Sequence, residues 1–85
     1  MITLGLIGHG GMGKAVERVA VARGFAVKVL GRGFGVGDLA DCDVVMDCSL
    51  PDSVIENVKM CIEADKNLVI VASGWYERLD EVRAM

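Results

Sequence analysis

The sequence predicts an α/β fold built on a parallel sheet. Three observations carry this expectation: short, nearly continuous apolar runs such as Ile2 to Ile7, amphipathic stretches of helical period between them, and turn residues at the junctions. Strands that alternate with helices imply right-handed crossovers, and doubly wound sheets bind ligands where the strand order reverses. About four strands are expected, in the spatial order 2-1-3-4. The reversal then falls between the first and third strands.

Ile2 to Ile7 ends in glycine, as a central strand covered on both faces should. Met12, Ala15, Val16, Val19 and Ala20 then recur at helical spacing, with Lys14, Glu17 and Arg18 on the other side and Gly24 as a stop, a helix of about three turns. Ala26 to Leu30 and Val44 to Met46 read as the second and third strands, both short and β-branched. The glycine-rich crossover between them, Gly31 to Asp43, has room for one helical turn around Asp38 to Ala40. Pro51 suits a first helical position, and Val54, Ile55, Val58, Cys61 and Ile62 form one apolar stripe, which predicts a helix from Pro51 to Ala64. Asp65-Lys66-Asn67 tolerates left-handed geometry, Leu68 to Val71 makes the fourth strand, and Glu77 to Met85 has helical propensity with Leu79 and Val82 on one side. The sequence stops inside that helix, so the domain is expected to be incomplete.

Composition narrows the function classes. With 85 residues, 53% of them apolar, the chain suffices for one small layered domain, which buries only ~60–65% of its unfolded surface. The net charge of −3, four aromatic residues and the lack of a basic run give nucleic-acid binding no electrostatic basis. The longest purely apolar stretch, Leu68 to Ala72, is too short to span a bilayer, and the start carries no signal-peptide pattern. A cytoplasmic location is expected. Cys42, Cys48 and Cys61 are odd in number and lack metal-site or redox-motif spacing, so they read as reduced, small apolar residues. No metal site is expected.

Gly8-His9-Gly10-Gly11-Met12-Gly13 places glycines at 8, 10 and 13 directly after a strand and directly before a helix, the context that gives this spacing meaning. Gly8 would permit the tight turn, Gly10 would let a pyrophosphate approach the backbone, and Gly13 would let helix and strand pack closely. Free N–H groups and the helix dipole would hold the phosphates. A glycine-rich connection without a ligand is the plainer alternative. The flanking strand and helix favour a Rossmann-like dinucleotide site. His9, the sole histidine, sits between loop glycines and reads as a loop residue near the cofactor, not as an acid or base. Lys14 and Arg18 read as a solvated helix face. The second strand ends Leu30-Gly31-Arg32-Gly33, with no acidic residue to take ribose hydroxyls. Arg32 is either an exposed turn arginine or a partner for a 2′-phosphate, and the glycine loop favours the second.

Asp43-Val-Val-Met-Asp-Cys-Ser-Leu-Pro51, the helix with Glu56-Asn57, and Leu68-Val-Ile-Val-Ala-Ser-Gly-Trp75, joined to the N-terminal glycine loop, resemble the 4-hydroxy-tetrahydrodipicolinate reductase family. In that family one strand ends in Asp-Phe-Ser or Asp-Phe-Thr and then Pro, and a later strand ends in Gly-Thr-Thr-Gly. The resemblance implies that Cys48 and Ser49 lie near the nicotinamide half of the cofactor and that Val71, Ala72 and Ser73, with Gly74, form the loop beneath it. Here Cys48 replaces the phenylalanine, and Val71-Ala72-Ser73 replaces Gly-Thr-Thr. Of the two threonine hydroxyls, Ser73 keeps one. Asp47 reads as a strand-end cap, and Trp75 either covers the cofactor or shields the last helix. The resemblance further implies hydride transfer from NADPH, preferred, or NADH to a cyclic dicarboxylate in lysine (diaminopimelate) biosynthesis. Family enzymes are homotetramers whose substrate domain bears a His-His signature with a lysine. Nothing in this chain matches that signature, so residues 1–85 read as the NAD(P)-binding N-terminal domain, with no catalytic residue assigned and the substrate and tetramerisation domain absent. A stand-alone NADP-sensing module and the cofactor domain of another NADP-dependent dehydrogenase are the alternatives.

Overall fold

The computed structural model describes residues 1–71 and 79–85. Its elements follow the alternation expected: β1 (Thr3–Ile7), α1 (Gly11–Ala22), β2 (Ala26–Leu30), a 3-10 turn (Val36–Leu39), β3 (Val44–Asp47), a second 3-10 turn (Pro51–Ser53), α2 (Val54–Glu63), β4 (Asn67–Ile70) and α3 (Leu79–Arg83). The four strands are parallel and ordered β2-β1-β3-β4, so the reversal lies between β1 and β3 as expected. The shortened crossover makes a single 3-10 turn in place of a helix. Pro51 opens a 3-10 turn that leads into α2, so the α-helix proper starts three residues later than its sequence pattern suggests. The N-terminal part of the last predicted helix, Glu77 and Arg78, lies outside the described residues.

The register sets Ile7 beside Leu30 and Asp47, and Asp47 beside Ile70. On this side of the sheet Ile7, Leu30, Leu39, Cys42, Val45 and Cys61 form a buried cluster, and Val54 and Val58 pack with Ile70 and Val82 in another. Fully burying a side chain such as Val45 or Leu39 contributes about 1.5–3 kcal/mol, so α2 is held mainly by this face. Its apolar stripe is buried through Val54, Ile55, Val58 and Cys61, but Ile62 is 55% exposed, because it lies past the edge of the contact. Asp65 closes the helix at φ 55° while Lys66 N–H donates to the Cys61 carbonyl at 2.8 Å. That is the left-handed turn expected of Asp65-Lys66-Asn67.

The opposite face is covered by α1 over β1 and β2, where Gly13 and Ala20 are buried. Three residues of its predicted apolar stripe are exposed, Met12 at 58%, Val19 at 56% and Ala15 between them. A groove of about 490 Å³ runs between α1 and the sheet, lined by Leu4, Val16, Val19, Val44 and Met46 among others, and Val69 on β4 is 49% exposed. Parallel sheets bury both faces when complete. Here α1 reaches only half of this one, which is why its periodicity is right and its burial is partial. Among the described residues no helix is long and apolar enough to cross a membrane.

Candidate functional site

The carboxyl ends of the strands bring three segments together. The chain leaves β1 at Gly8 with φ +84° and enters α1 with Gly10 as the N-cap. A Cβ on Gly8 would lie 2.8 Å from the Cys48 carbonyl oxygen, and one on Gly13 would lie 2.3 Å from the Gly8 carbonyl oxygen. Both positions are therefore glycine because the fold leaves no room for a side chain. Gly10 and Gly11 differ: a Cβ at either would meet nothing within 4 Å. The first helical N–H groups, on Gly11, Met12 and Gly13, have no intrahelical acceptor, and no side chain caps them. The loop thus presents uncapped donors, at the positive end of a 12-residue helix, to a space that no side chain fills.

His9 lies in this loop, as the sequence indicated, but it is not without a partner. Its Nε2 sits 2.7 Å from Glu17 Oε1 on α1, a pairing missed by assigning Glu17 to the solvated side. The spacing of eight residues could have found it, since a loop residue just before a helix can reach back over the first two turns. Lys14 and Arg18 are exposed.

At the β3 exit, Asp47 is 0% exposed. Its Oδ1 accepts from the Ser49 N–H at 2.8 Å and from the Ser49 hydroxyl at 2.5 Å, and its Oδ2 accepts from Asn57 Nδ2 at 3.0 Å. The two Ser49 bonds are the strand-end cap expected of Asp47. Asn57, buried on α2, was not singled out as a site residue. The same segment is tied to both neighbouring strand ends: Cys48 N–H donates to the Ile7 carbonyl and Val71 N–H to the Asp47 carbonyl, each at 2.8 Å. Cys48 and Ser49 are half-buried beside the glycine turn, and Val71 follows β4 next to them. Burial, reinforced by the Asp47 charge, raises the Cys48 thiol above its ordinary value. Cys42 and Cys61 are buried and raised for the same first reason. Ala72, Ser73, Gly74 and Trp75 lie outside the described residues.

Beyond β2 the chain forms an open pocket of about 290 Å³, lined by Arg32 with Leu30, Gly31, Gly33, Phe34 and Asp38 among others. Arg32 is exposed and makes no hydrogen bond or ion pair among the described residues. No acid stands at the strand end itself, but the 3-10 turn brings Asp38 into the lining. Its Oδ2 is engaged by the Gly35 N–H at 2.8 Å, and Lys28 Nζ donates to its carbonyl at 2.7 Å and to Asp41 Oδ1 at 2.9 Å. Among the described residues no group of three or more His, Cys, Asp or Glu side chains could hold a metal ion.

The parallel 2-1-3-4 sheet, with its glycine turn at the reversal point, defines the chain as a Rossmann-like α/β domain. The family described as "dihydrodipicolinate reductase, N-terminus" matches residues 35–85, and the chain belongs to that family. A relative, the 4-hydroxy-tetrahydrodipicolinate reductase of Corynebacterium urealyticum, is 45% identical over 47 residues. Those residues are 54% of this chain and 19% of the relative, so the chain spans only a small part of the relative's length. The family match begins at Gly35, downstream of the glycine loop. The loop's interpretation therefore rests on its own geometry.

Proposed function

We propose that this chain is the pyridine-nucleotide-binding part of a 4-hydroxy-tetrahydrodipicolinate reductase of lysine biosynthesis, and that it takes NADPH in preference to NADH. The observation that carries the reading is the contrast within the glycine loop. Gly8 and Gly13 are crowded by protein, whereas Gly10 and Gly11 face open space above uncapped helix donors, which is what a pyrophosphate needs. In a doubly wound sheet the dinucleotide lies across the carboxyl ends of the strands. On this reading the adenosine end lies at the Arg32 pocket, the pyrophosphate at Gly8, His9, Gly10, Gly11, Met12 and Gly13, and the nicotinamide half at Cys48, Ser49 and Val71, to which the family resemblance adds Ala72 and Ser73.

The residues present fit such a group. Arg32 offers a fork of donors with no competing partner among the described residues, suited to a 2′-phosphate, while the Asp38 carboxylate already serves the Gly35 N–H and is less available to ribose hydroxyls. When bound, the cofactor supplies the hydride, and the protein supplies orientation and electrostatics. The Asp47 side-chain network holds Ser49, the β1 end holds Cys48 and the β3 end holds Val71. The cyclic dicarboxylate substrate and tetrameric assembly are assigned to a further domain of the parent enzyme, and the parent to the cytoplasm. No nucleic-acid or membrane partner is expected.

Titration calorimetry with NADPH tests the reading. Gly10→Val places a side chain where the phosphates must approach, and it should abolish measurable binding while the circular dichroism spectrum stays native. Equal affinity in two folded proteins would take the loop out of the site.

A further inference from the structure

Asp47 is a carboxylate buried completely at the end of a central strand, and among the described residues no lysine or arginine pairs with it. Burying such a group is costly unless hydrogen bonds satisfy it. Its three donors are the Ser49 N–H, the Ser49 hydroxyl and Asn57 Nδ2. An ionised carboxylate only accepts, so the hydroxyl proton of Ser49 points at Oδ1, and the Asn57 amide must turn its NH₂ toward Oδ2. Asn57 Nδ2 also reaches Ser49 Oγ at 3.2 Å, which occupies one lone pair of that oxygen. The other acceptor within reach of the hydroxyl, the Leu50 carbonyl, is more distant at 3.4 Å. Ser49 has therefore spent its single proton inward and keeps one lone pair. It can accept from a ligand and cannot donate.

We propose that Asp47 is a positioning residue that fixes Ser49 as a hydrogen-bond acceptor, and that Ser49 Oγ reads the N–H of the nicotinamide carboxamide. The inference rests on the cofactor reading above. With Arg32 beyond β2 and the glycine loop beyond β1, the order β2-β1-β3-β4 leaves the nicotinamide half over the β3 and β4 ends, where Ser49 is half-buried and within a ligand's reach. Phosphate and carbonyl oxygens have no proton to offer it, whereas the ribose hydroxyls and the carboxamide NH₂ do. Of these donors the NH₂ belongs to the ring that must be oriented for hydride transfer.

The probe is reduced 3-acetylpyridine adenine dinucleotide phosphate, which keeps the carbonyl, ribose and phosphates of NADPH and replaces the NH₂ by a methyl group. Equilibrium binding to the 85-residue chain should favour NADPH by about three- to tenfold, the worth of one neutral hydrogen bond. Ser49→Ala should bring the ratio to about one, and Ser49→Thr, which keeps the hydroxyl, should restore the preference. Asp47→Ala removes the acceptor and frees the serine proton to face the ligand, so the ratio should fall to one or invert. Because Asp47 is fully buried, circular dichroism accompanies that variant, and the Ser49 pair carries the test if D47A does not fold. Equal binding of both cofactors by the wild type, or an unchanged ratio in Ser49→Ala, overturns the assignment to Ser49 while leaving the cofactor reading intact. An unchanged ratio in a folded D47A removes Asp47 from it. Failure of the wild type to bind either dinucleotide overturns both the assignment and the cofactor reading beneath it.

Discussion

Replacing Gly13 and Gly10 by alanine, one at a time, separates what the glycine loop does for the fold from what it does for a ligand. At Gly13 the new Cβ would sit 2.3 Å from the Gly8 carbonyl oxygen, against a closest tolerable approach of 3.0 Å. The start of α1 or the exit of β1 must therefore move by at least about 0.7 Å, and overpacking of this kind costs about 1–3 kcal/mol. In a domain this small each kcal/mol lowers the melting temperature by about 4–8 °C. At Gly10 the Cβ meets nothing and φ is −81°, which alanine adopts freely. The gain from a stiffer unfolded chain, about 0.4–1 kcal/mol, offsets a comparable loss of N-cap preference. Thermal denaturation should find Gly13→Ala clearly destabilised and Gly10→Ala within about 3 °C of wild type, by the same conversion. Calorimetry should find NADPH bound at least tenfold more weakly by Gly10→Ala. A Gly10→Ala variant that melts as low as Gly13→Ala, or that binds like wild type, would refute the division.

Arg32→Ala should weaken NADPH about tenfold or more, the worth of a charge-assisted contact, and leave NADH nearly unchanged; equal weakening of both would mean that Arg32 only holds the turn. Asn57→Leu strips one donor from the buried Asp47 carboxylate and should cost at least about 1–3 kcal/mol in urea denaturation, with a neutral result meaning that water replaces the amide. The three thiols are raised by burial, so less thiolate is present near pH 8 than in free cysteine. Alkylation of the native chain should then be slow, with the half-buried Cys48 first, and should become fast in denaturant. Rapid native labelling of Cys61 would contradict its place in the core. In a coupled assay that forms the dicarboxylate substrate from pyruvate and aspartate semialdehyde, the 85-residue chain should consume no NADPH above background. Turnover would locate catalytic groups within it.

Strand order and the glycine turn were legible because they follow from local pattern and from the handedness of parallel crossovers, which leave few arrangements open. Burial was less so. The spacing of Met12, Val16 and Val19 identifies a helix face, but whether that face is covered depends on elements far along the chain, and here α1 covers only β1 and β2. Ile62 errs in the same way at the other helix. Polar residues were harder still. Asn57 looks like any solvated helix residue until the register puts Asp47 opposite it, and Asp38 enters the Arg32 pocket only because the crossover curls into a 3-10 turn.

The half-covered sheet also governs how the molecule behaves among its own copies. At neutral pH the chain carries a charge of −3, and mutual repulsion keeps such faces apart. With an isoelectric point near 4.9, that repulsion vanishes on mild acidification while Val69 and the groove beside α1 stay exposed. Solubility should pass through a sharp minimum close to pH 5, and high salt should widen it by screening what charge remains. A Val69→Thr substitution, which keeps the β-branch but adds a hydroxyl to the open face, should narrow that minimum as followed by light scattering.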